Sequence, residues 1–445
     1  MRESTTGTTA RPRPGRGRRR LAGIAAAGAL LAASAPAAQA AGVTADHRGT
    51  PGGGKVAIGF FTQWGIYSGF FEKNLIADGA AARLTEINYA FSSVSADGQC
   101  VSGDSWADYQ RPFAATEAVS GVADAPGQAL AGNFNQLREL KAAYPGLKIV
   151  ISVGGWSWSS HFSALAATEA GRQKFVRSCV AQYIDGDIPG LPAGAAKGVF
   201  DGIDLDWEYP NEPGDNNPYG PQDTADFTAL LQDLRGALDT AGEASHRHYL
   251  LTADTSPNQY AAARQLQLKN ASRSVDWYNA MTLDFHGGWD STTDFAANLF
   301  PDPNDPQPAD ARFSVAQSVA YYESQGVPAS KIALELPYYA HAWTGVGATG
   351  DGLYQSATGP AASDQAGYKT VVTEPGTVHF DPVTASVWKY DPASQTFWTY
   401  DDPRTVFAKG LYIDLKGLRG ASVWSLDGDD ANGSLTAALA TALRR

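Results

Sequence analysis

Eight short runs rich in β-branched and aromatic residues recur along the chain, with stretches of helical periodicity between them. The runs are VAIGFFT (56–62), EINYAFS (86–92), KIVISV (148–153), FDGIDLDWE (200–208), YLLTAD (249–254), YNAMTLD (278–284), KIALELP (331–337) and GASVWSL (420–426). The helical stretches include GNFNQLRELKAAY (132–144), AGRQKFVRSCVAQYI (170–184) and DTADFTALLQDLRGALDTAG (223–242). Strand-then-helix alternation calls for parallel strands, because each crossover brings the chain back to the same end of the sheet. Eight such units close on themselves as a (β/α)8 TIM barrel, an α/β fold.

One connection breaks the rhythm. Residues 345–407, between the seventh and eighth runs, contain ASVWKYD and QTFWTYDD, in which apolar and polar residues alternate as in a small antiparallel sheet. A small α+β insertion is expected there, leaving residues 55–344 and 408–445 to form the barrel. Residues 1–40 read as a signal peptide. Arg11, Arg13, Arg16, Arg18, Arg19 and Arg20 make a basic start, LAGIAAAGALLAASA an apolar middle, and AQA a cleavage site that places the cut after Ala40. The arginine run is compatible with the twin-arginine route as well as with general export. Residues 41–54 read as a flexible leader.

Removal of residues 1–40 leaves 27 basic against 45 acidic side chains, a formal charge of −18. So acidic a chain is a poor binder of phosphate backbones, and no basic stripe with interleaved aromatics offsets this, so no nucleic-acid partner is expected. No later stretch approaches twenty apolar residues, so no membrane partner is expected either, and a soluble monomer is anticipated. In an exported chain the two cysteines, Cys100 and Cys179, are expected to pair as a disulfide; two free thiols are the alternative. With 11 Trp, 19 Tyr and 18 Phe, most aromatics must be core, and an excess at strand ends would suit stacking on sugar rings.

The fourth run holds the chemistry. Asp201, Asp204, Asp206 and Glu208 fall within DGIDLDWE. Residues two apart on a strand share a face, so Asp204, Asp206 and Glu208 project into the barrel while Ile203, Leu205 and Trp207 face the helices. Asp201 has the other parity and is expected to be structural. Three inward carboxyls spaced about 6–7 Å apart along one strand cannot all ionise cheaply. Protons are shared, and the outermost acid, Glu208, is the one to stay protonated near neutral pH, as a general acid must. A metal cage is disfavoured, because ligands in one row do not surround an ion and no His is near. Ordinary glycosidases place two carboxyls on opposite sides of the scissile bond. Here the best candidates share one side, so the nucleophile must come from elsewhere, the substrate included.

DGIDLDWEYP resembles the D-x-x-D-x-D-x-E signature of family 18 glycoside hydrolases, the chitinases. Ser152, Gly154 and Gly155 in ISVGGWSWS resemble the family's S-x-G-G strand, and INYAFS, GNFNQLRELKAAYPGLK and DGLYQSATGPA resemble an actinomycete-type secreted subgroup. The resemblance spans residues 54–440. It implies retaining hydrolysis of β-1,4-linked N-acetylglucosamine in chitin or chitooligosaccharides, with no metal and no cofactor. Glu208 would protonate the leaving oxygen, Asp206 would orient the attacking acetamido group, and Asp204 would share a proton with Asp206. Trp424 would form the floor of the site. Met281, Asp284 and Tyr339 fall on family positions that contact substrate, and Tyr89, Phe91, Trp156, Trp289 and Trp388 are candidate lining residues.

Three motifs depart from the pattern. Leu283 stands where M-x-Y-D has a tyrosine whose hydroxyl donates to the acetamido oxygen. Ala340 and His341 replace the glycine and arginine of P-x-Y-G-R, and a neutral His cannot make arginine's bidentate contact. Ser425 stands where a glutamate is common. An endo-β-N-acetylglucosaminidase acting on N-glycans and a chitin-binding lectin on the same fold are the alternatives. Among weaker signals, DGDDANG (427–433) reads as a turn rather than a calcium loop, and HRH (246–248) as the end of a helix.

Overall fold

A computed structural model describes residues 54–256, 266–309 and 311–444. The expected signal peptide and all of the expected leader but Gly54 lie outside the described residues. The strands, in chain order, are β1 (Val56–Thr62), β2 (Glu86–Val94), β3 (Cys100–Ser102), β4 (Lys148–Gly154), β5 (Gly202–Asp206), β6 (Leu250–Thr255), β7 (Trp277–Ala280) and β8 (Ile332–Pro337). There follow β9 (Ala340–Thr344), β10 (Gly359–Pro360), β11 (Thr377–Asp381), β12 (Ser386–Asp391), β13 (Thr396–Tyr400) and β14 (Gly420–Trp424). β1 pairs in parallel with both β2 and β14, and β4, β5, β6, β7 and β8 complete the circuit. The result is the closed eight-stranded parallel barrel expected, to which β3 adds one short antiparallel strand beside β2.

Alternation along the strands sorts side chains between two cores. On β5, Ile203 and Leu205 face outward, and the buried Trp207 beyond them stacks on Phe162 (5.5 Å) and meets the edge of Phe227 (6.2 Å) from the surrounding helices. Inside the barrel, Val56, Ile58, Trp277 and Ala333 form an apolar plug at the N-terminal end. Above it lies a polar layer of Asn88, Ser152, Asp204, Thr252, Asn279, Glu335 and Ser422, all buried. Branched apolar residues usually fill such layers, so polar groups here signal chemistry directly above.

Two differences from the expected elements matter. The strand expected over 278–284 stops at Ala280, because the Thr282 hydroxyl turns to donate to the Glu335 carbonyl (2.8 Å), and Asp284 adopts a left-handed φ of 54°. Residues 281–284 thus curl across the barrel mouth. The second sheet, ordered β10-β9-β13-β12-β11, starts at Ala340 rather than 345. The chain returns to the barrel before residue 407, because Asp402 caps a helix at Pro403–Lys416 by accepting from the backbone N–H groups of Arg404 and Thr405.

Cys100 on β3 is bonded to Cys179 at the end of helix Glu169–Cys179, with Cα atoms 5.1 Å apart across 79 residues of chain. A cross-link closing so long a loop contributes roughly 2–4 kcal/mol. The double variant Cys100→Ser, Cys179→Ser should therefore melt several degrees below the wild type, with the same loss in reductant. Unchanged melting would show that the bond constrains little. Asp201 is structural as expected: its carboxylate takes the Ile149 N–H (3.0 Å), Lys141 (2.7 Å) and Arg247 (2.7 Å). Asp429 accepts the N–H groups of Leu435 and Thr436, so DGDDANG caps helix Ser434–Leu443, and His246 ends helix Asp223–Ser245 in a left-handed conformation. Among the described residues no helix is long and apolar enough to cross a membrane.

Candidate active site

The acid row lies at the C-terminal mouth, with Asp204 fully buried, Asp206 5% and Glu208 8% exposed. Neighbouring strands hold each member differently. Asp204 accepts from the Ser152 hydroxyl on β4 (2.7 Å), the Thr252 hydroxyl on β6 (2.5 Å) and the Asn279 amide on β7 (3.3 Å). These three donors, from three different strands, fix the orientation of the Asp204 carboxyl. Among the described residues none donates to Oδ1 of Asp206. Burial, then the neighbouring Glu208, Asp204 and Glu335 carboxyls, push its pKa well above the ordinary range. Glu208 is pushed up to about 7, first by burial and then by Asp284, against a hydrogen bond from Tyr209. Glu208 is therefore the member poised to exchange a proton near neutral pH.

The backbone around the row is pinned. The Glu208 N–H donates to the Ser159 hydroxyl (2.9 Å), and its carbonyl accepts from Asn217 (3.0 Å). The paired glycines of ISVGGW are a close-approach requirement: at Gly154 (φ 116°) a Cβ would lie 2.1 Å from the Asp206 carbonyl oxygen. At Gly155 (φ 81°) it would lie 2.7 Å from the Phe91 ring.

An aromatic and apolar surface faces the acids. Trp424, at the end of β14, stacks on Phe91 (5.4 Å) and packs on Phe60 (5.3 Å), and it also touches the cluster of Tyr209, Met281 and Leu283. Phe91 reaches this inner surface because the β2–β4 register shifts between Ala90 and Ser92, which re-aims it. Trp156 and Trp289 stand at the rim, 49% and 58% exposed; Trp156 meets the Tyr209 edge and Trp289 meets His341.

Two expected lining residues lie elsewhere. Tyr89 keeps the outward parity of Ile87 and is fully buried between barrel and helix, donating to Asp108 (2.6 Å) and accepting from Asn133 (2.8 Å). Trp388 belongs to the second sheet, where it stacks on His379 (5.0 Å) and donates to the Asp351 carbonyl. Residues that sequence reasoning missed include Trp64, 43% exposed and 6.3 Å from Trp424, and the buried inward acids Asp254 and Glu335. A lone acid inside an apolar strand, as in LLTAD and IALELP, was the available signal for both.

His341 differs from the expected neutral imidazole. Its Nε2 lies 2.7 Å from Asp284 and its Nδ1 3.0 Å from Asp364, while Tyr339 also donates to Asp284 (2.5 Å). Burial alone would lower its pKa, but the two carboxylates outweigh burial and raise it to about 9. His341 is thus a cation at neutral pH and bridges the barrel mouth to the insertion. Unfolded His titrates near 6.5, so this stabilisation is complete below about 6.5 and is lost as pH rises through about 9. The melting difference between wild type and His341→Gln should accordingly be large at pH 6 and shrink toward pH 9.5. A pH-independent difference would exclude the ion-pair account.

The model of the glycosyl hydrolases family 18 matches residues 56–429. Chitinase C of Streptomyces lividans is 36% identical over 86% of this chain and 59% of that relative. Chitinase 63 of Streptomyces plicatus is 35% identical over 88% of this chain and 61% of its own length. The chain thus spans about three fifths of these curated relatives. Among solved structures, the catalytic domain of psychrophilic chitinase B from Arthrobacter TAD20 superposes with a TM-score of 0.83 at 38% identity, covering 88% of this chain and 95% of that one. With its matched barrel and its acid row on β5, the chain belongs to the glycosyl hydrolases family 18.

Proposed function

We propose that this chain is a retaining chitinase, cleaving β-1,4-linked N-acetylglucosamine chains by substrate-assisted catalysis. The observation that carries the reading is the one-sided row, with a proton-holding Glu208 at the rim and Asp206 and Asp204 behind it on one strand. Retaining enzymes with a protein nucleophile need two carboxyls about 5–5.5 Å apart flanking the bond. A single row leaves the opposite face of the sugar to its own acetamido group.

Glu208 gives its proton to the glycosidic oxygen as the C1–O bond breaks. The acetamido carbonyl oxygen bonds to C1 from the other face, forming an oxazolinium ion. Asp206 accepts the acetamido N–H on a carboxyl oxygen and so orients the group for attack, while Asp204 stays anchored by Ser152, Thr252 and Asn279. Water then attacks C1, its proton goes to Glu208, and the original configuration returns. Trp424 supports the sugar's apolar face, and Trp64, Trp156 and Trp289 offer stacking surfaces along a chain. The substrate is an extracellular polymer, and the basic, apolar and small-residue segments of residues 1–40 fit export to it.

Leu283 favours one second reading, an endo-β-N-acetylglucosaminidase acting on N-glycan cores. Incubation with chitohexaose and with a high-mannose glycopeptide separates the two. The expected result is chitohexaose cleavage with β-anomer products by early NMR spectra and an intact glycopeptide. Cleavage of the glycopeptide alone would move the substrate. Cleavage of neither, with chitin still bound, would replace the enzyme by a lectin.

A further inference from the structure

Beside the acid row stand two carboxyls with no place in the mechanism above. Asp254 on β6 and Glu335 on β8 point into the barrel at 2% and 5% exposure. Among the described residues no N–H or O–H group donates to either Asp254 oxygen or to Oε2 of Glu335. On the paired strands β5 and β6, Asp254 stands one inward position beyond Thr252, the register partner of Asp204, so its carboxyl is set against Asp204 and, two strands away, Glu335.

Two carboxyls can face each other in a buried space only if one keeps a proton and donates it. Asp204 already accepts from Ser152, Thr252 and Asn279, so the negative charge is best supported there and the donor must be Asp254. We propose that Asp254 and Glu335 are positioning residues, forming with Asp204 a hydrogen-bonded carboxyl chain, Glu335–Asp254–Asp204, that holds a single negative charge on Asp204 beneath Asp206. The chain orients Asp204 from the side opposite Ser152. It also sets the field in which Asp206 and Glu208 hold their protons.

The groups facing this chain are acids. Asp204 and Asp206 act on Asp254 from β5, and Glu335 acts on it from β8. Glu335 is also acted on by Asp204 and Glu208, and by Asp284 from the segment after β7. Burial and these acids raise both groups well above the ordinary carboxyl range, in keeping with a chain that stores protons. The Thr282 hydroxyl, which donates to the Glu335 carbonyl (2.8 Å), couples the same strand to the segment crossing the mouth.

The role of the chain in turnover rests on the chitinase reading; its protonation does not. In Asp254→Asn the amide replaces a protonated carboxyl and still donates to Asp204, whereas Asp254→Val removes the donor. On chitohexaose, Asp254→Asn is expected to keep kcat within threefold and leave the basic limb of the kcat–pH profile in place. Asp254→Val should lower kcat at least tenfold and move that limb by half a unit or more, with KM little changed. Glu335→Gln should behave like Asp254→Asn. An unmoved profile and kcat in Asp254→Val would overturn the proposal, as would a shifted limb in Asp254→Asn, which would mean that Asp254 carries charge. Should Asp254→Val not fold, infrared difference spectra of wild type against Asp254→Asn at pH 7.5 decide the matter. A protonated-carboxyl C=O band lost in the variant supports the chain, and a carboxylate band lost instead overturns it. That spectrum needs no substrate, so it stands even if no chitin is cleaved.

Discussion

Glu208→Gln is expected to lower kcat on chitooligosaccharides by about 10²–10⁴-fold, the usual worth of a placed general acid, while binding persists. The amide matches the carboxyl in shape, and the backbone anchors at Ser159 and Asn217 do not involve the replaced group. What is lost is the proton. In the wild type that proton is held to about pH 7, because burial and Asp284 disfavour the carboxylate. Activity should therefore decline as pH rises through neutrality, and the variant's residual rate should lack this limb. Steady-state hydrolysis across pH, with calorimetric binding of chitohexaose to the variant, checks both parts. A variant within tenfold of wild type would remove Glu208 from the acid role.

Leu283→Tyr should raise kcat by about tenfold or more with little change in KM. Leu283 packs with Tyr209 and Met281 beside Trp424, on the surface where the acetamido group would rest. A tyrosine hydroxyl there would donate to the acetamido carbonyl oxygen and hold it in line with C1, and a tenfold gain asks about 1.4 kcal/mol of such positioning. Leucine offers none. The side chain is 7% exposed, so the new hydroxyl must point into the cleft to avoid an unpaired buried group. Single-turnover rates on chitotetraose test this directly. A folded variant with no gain would show that another group already supplies the donor, or that the acetamido oxygen lies elsewhere.

The elements read most easily from the sequence were those whose pattern is local. Period-two alternation in DGIDLDWE places Asp204 and Asp206 inward and Trp207 outward, and the eight runs correspond to the eight barrel strands. Tyr89 was misplaced because the useful parity on β2 changes at the shift between Ala90 and Ser92, and such an irregularity is fixed by pairing with β4. The charge on His341 is not legible locally, because Asp364 lies 23 residues further along the chain and meets it only when the second sheet folds back. Trp64 lies after β1 and Trp424 ends β14, and only barrel closure brings them together.

The sequence by itself determined the barrel, the row of acids and the identity of its outermost member, because spacing along one strand decides which side chains share a face. Tertiary structure decided the charge states. Whether a carboxyl holds its proton depends on burial and on neighbours from other strands: Glu335 near Asp206, Asp204 and Glu335 near Asp254, Asp284 near Glu208. Those neighbours are remote in sequence, and electrostatic coupling depends on distance through space.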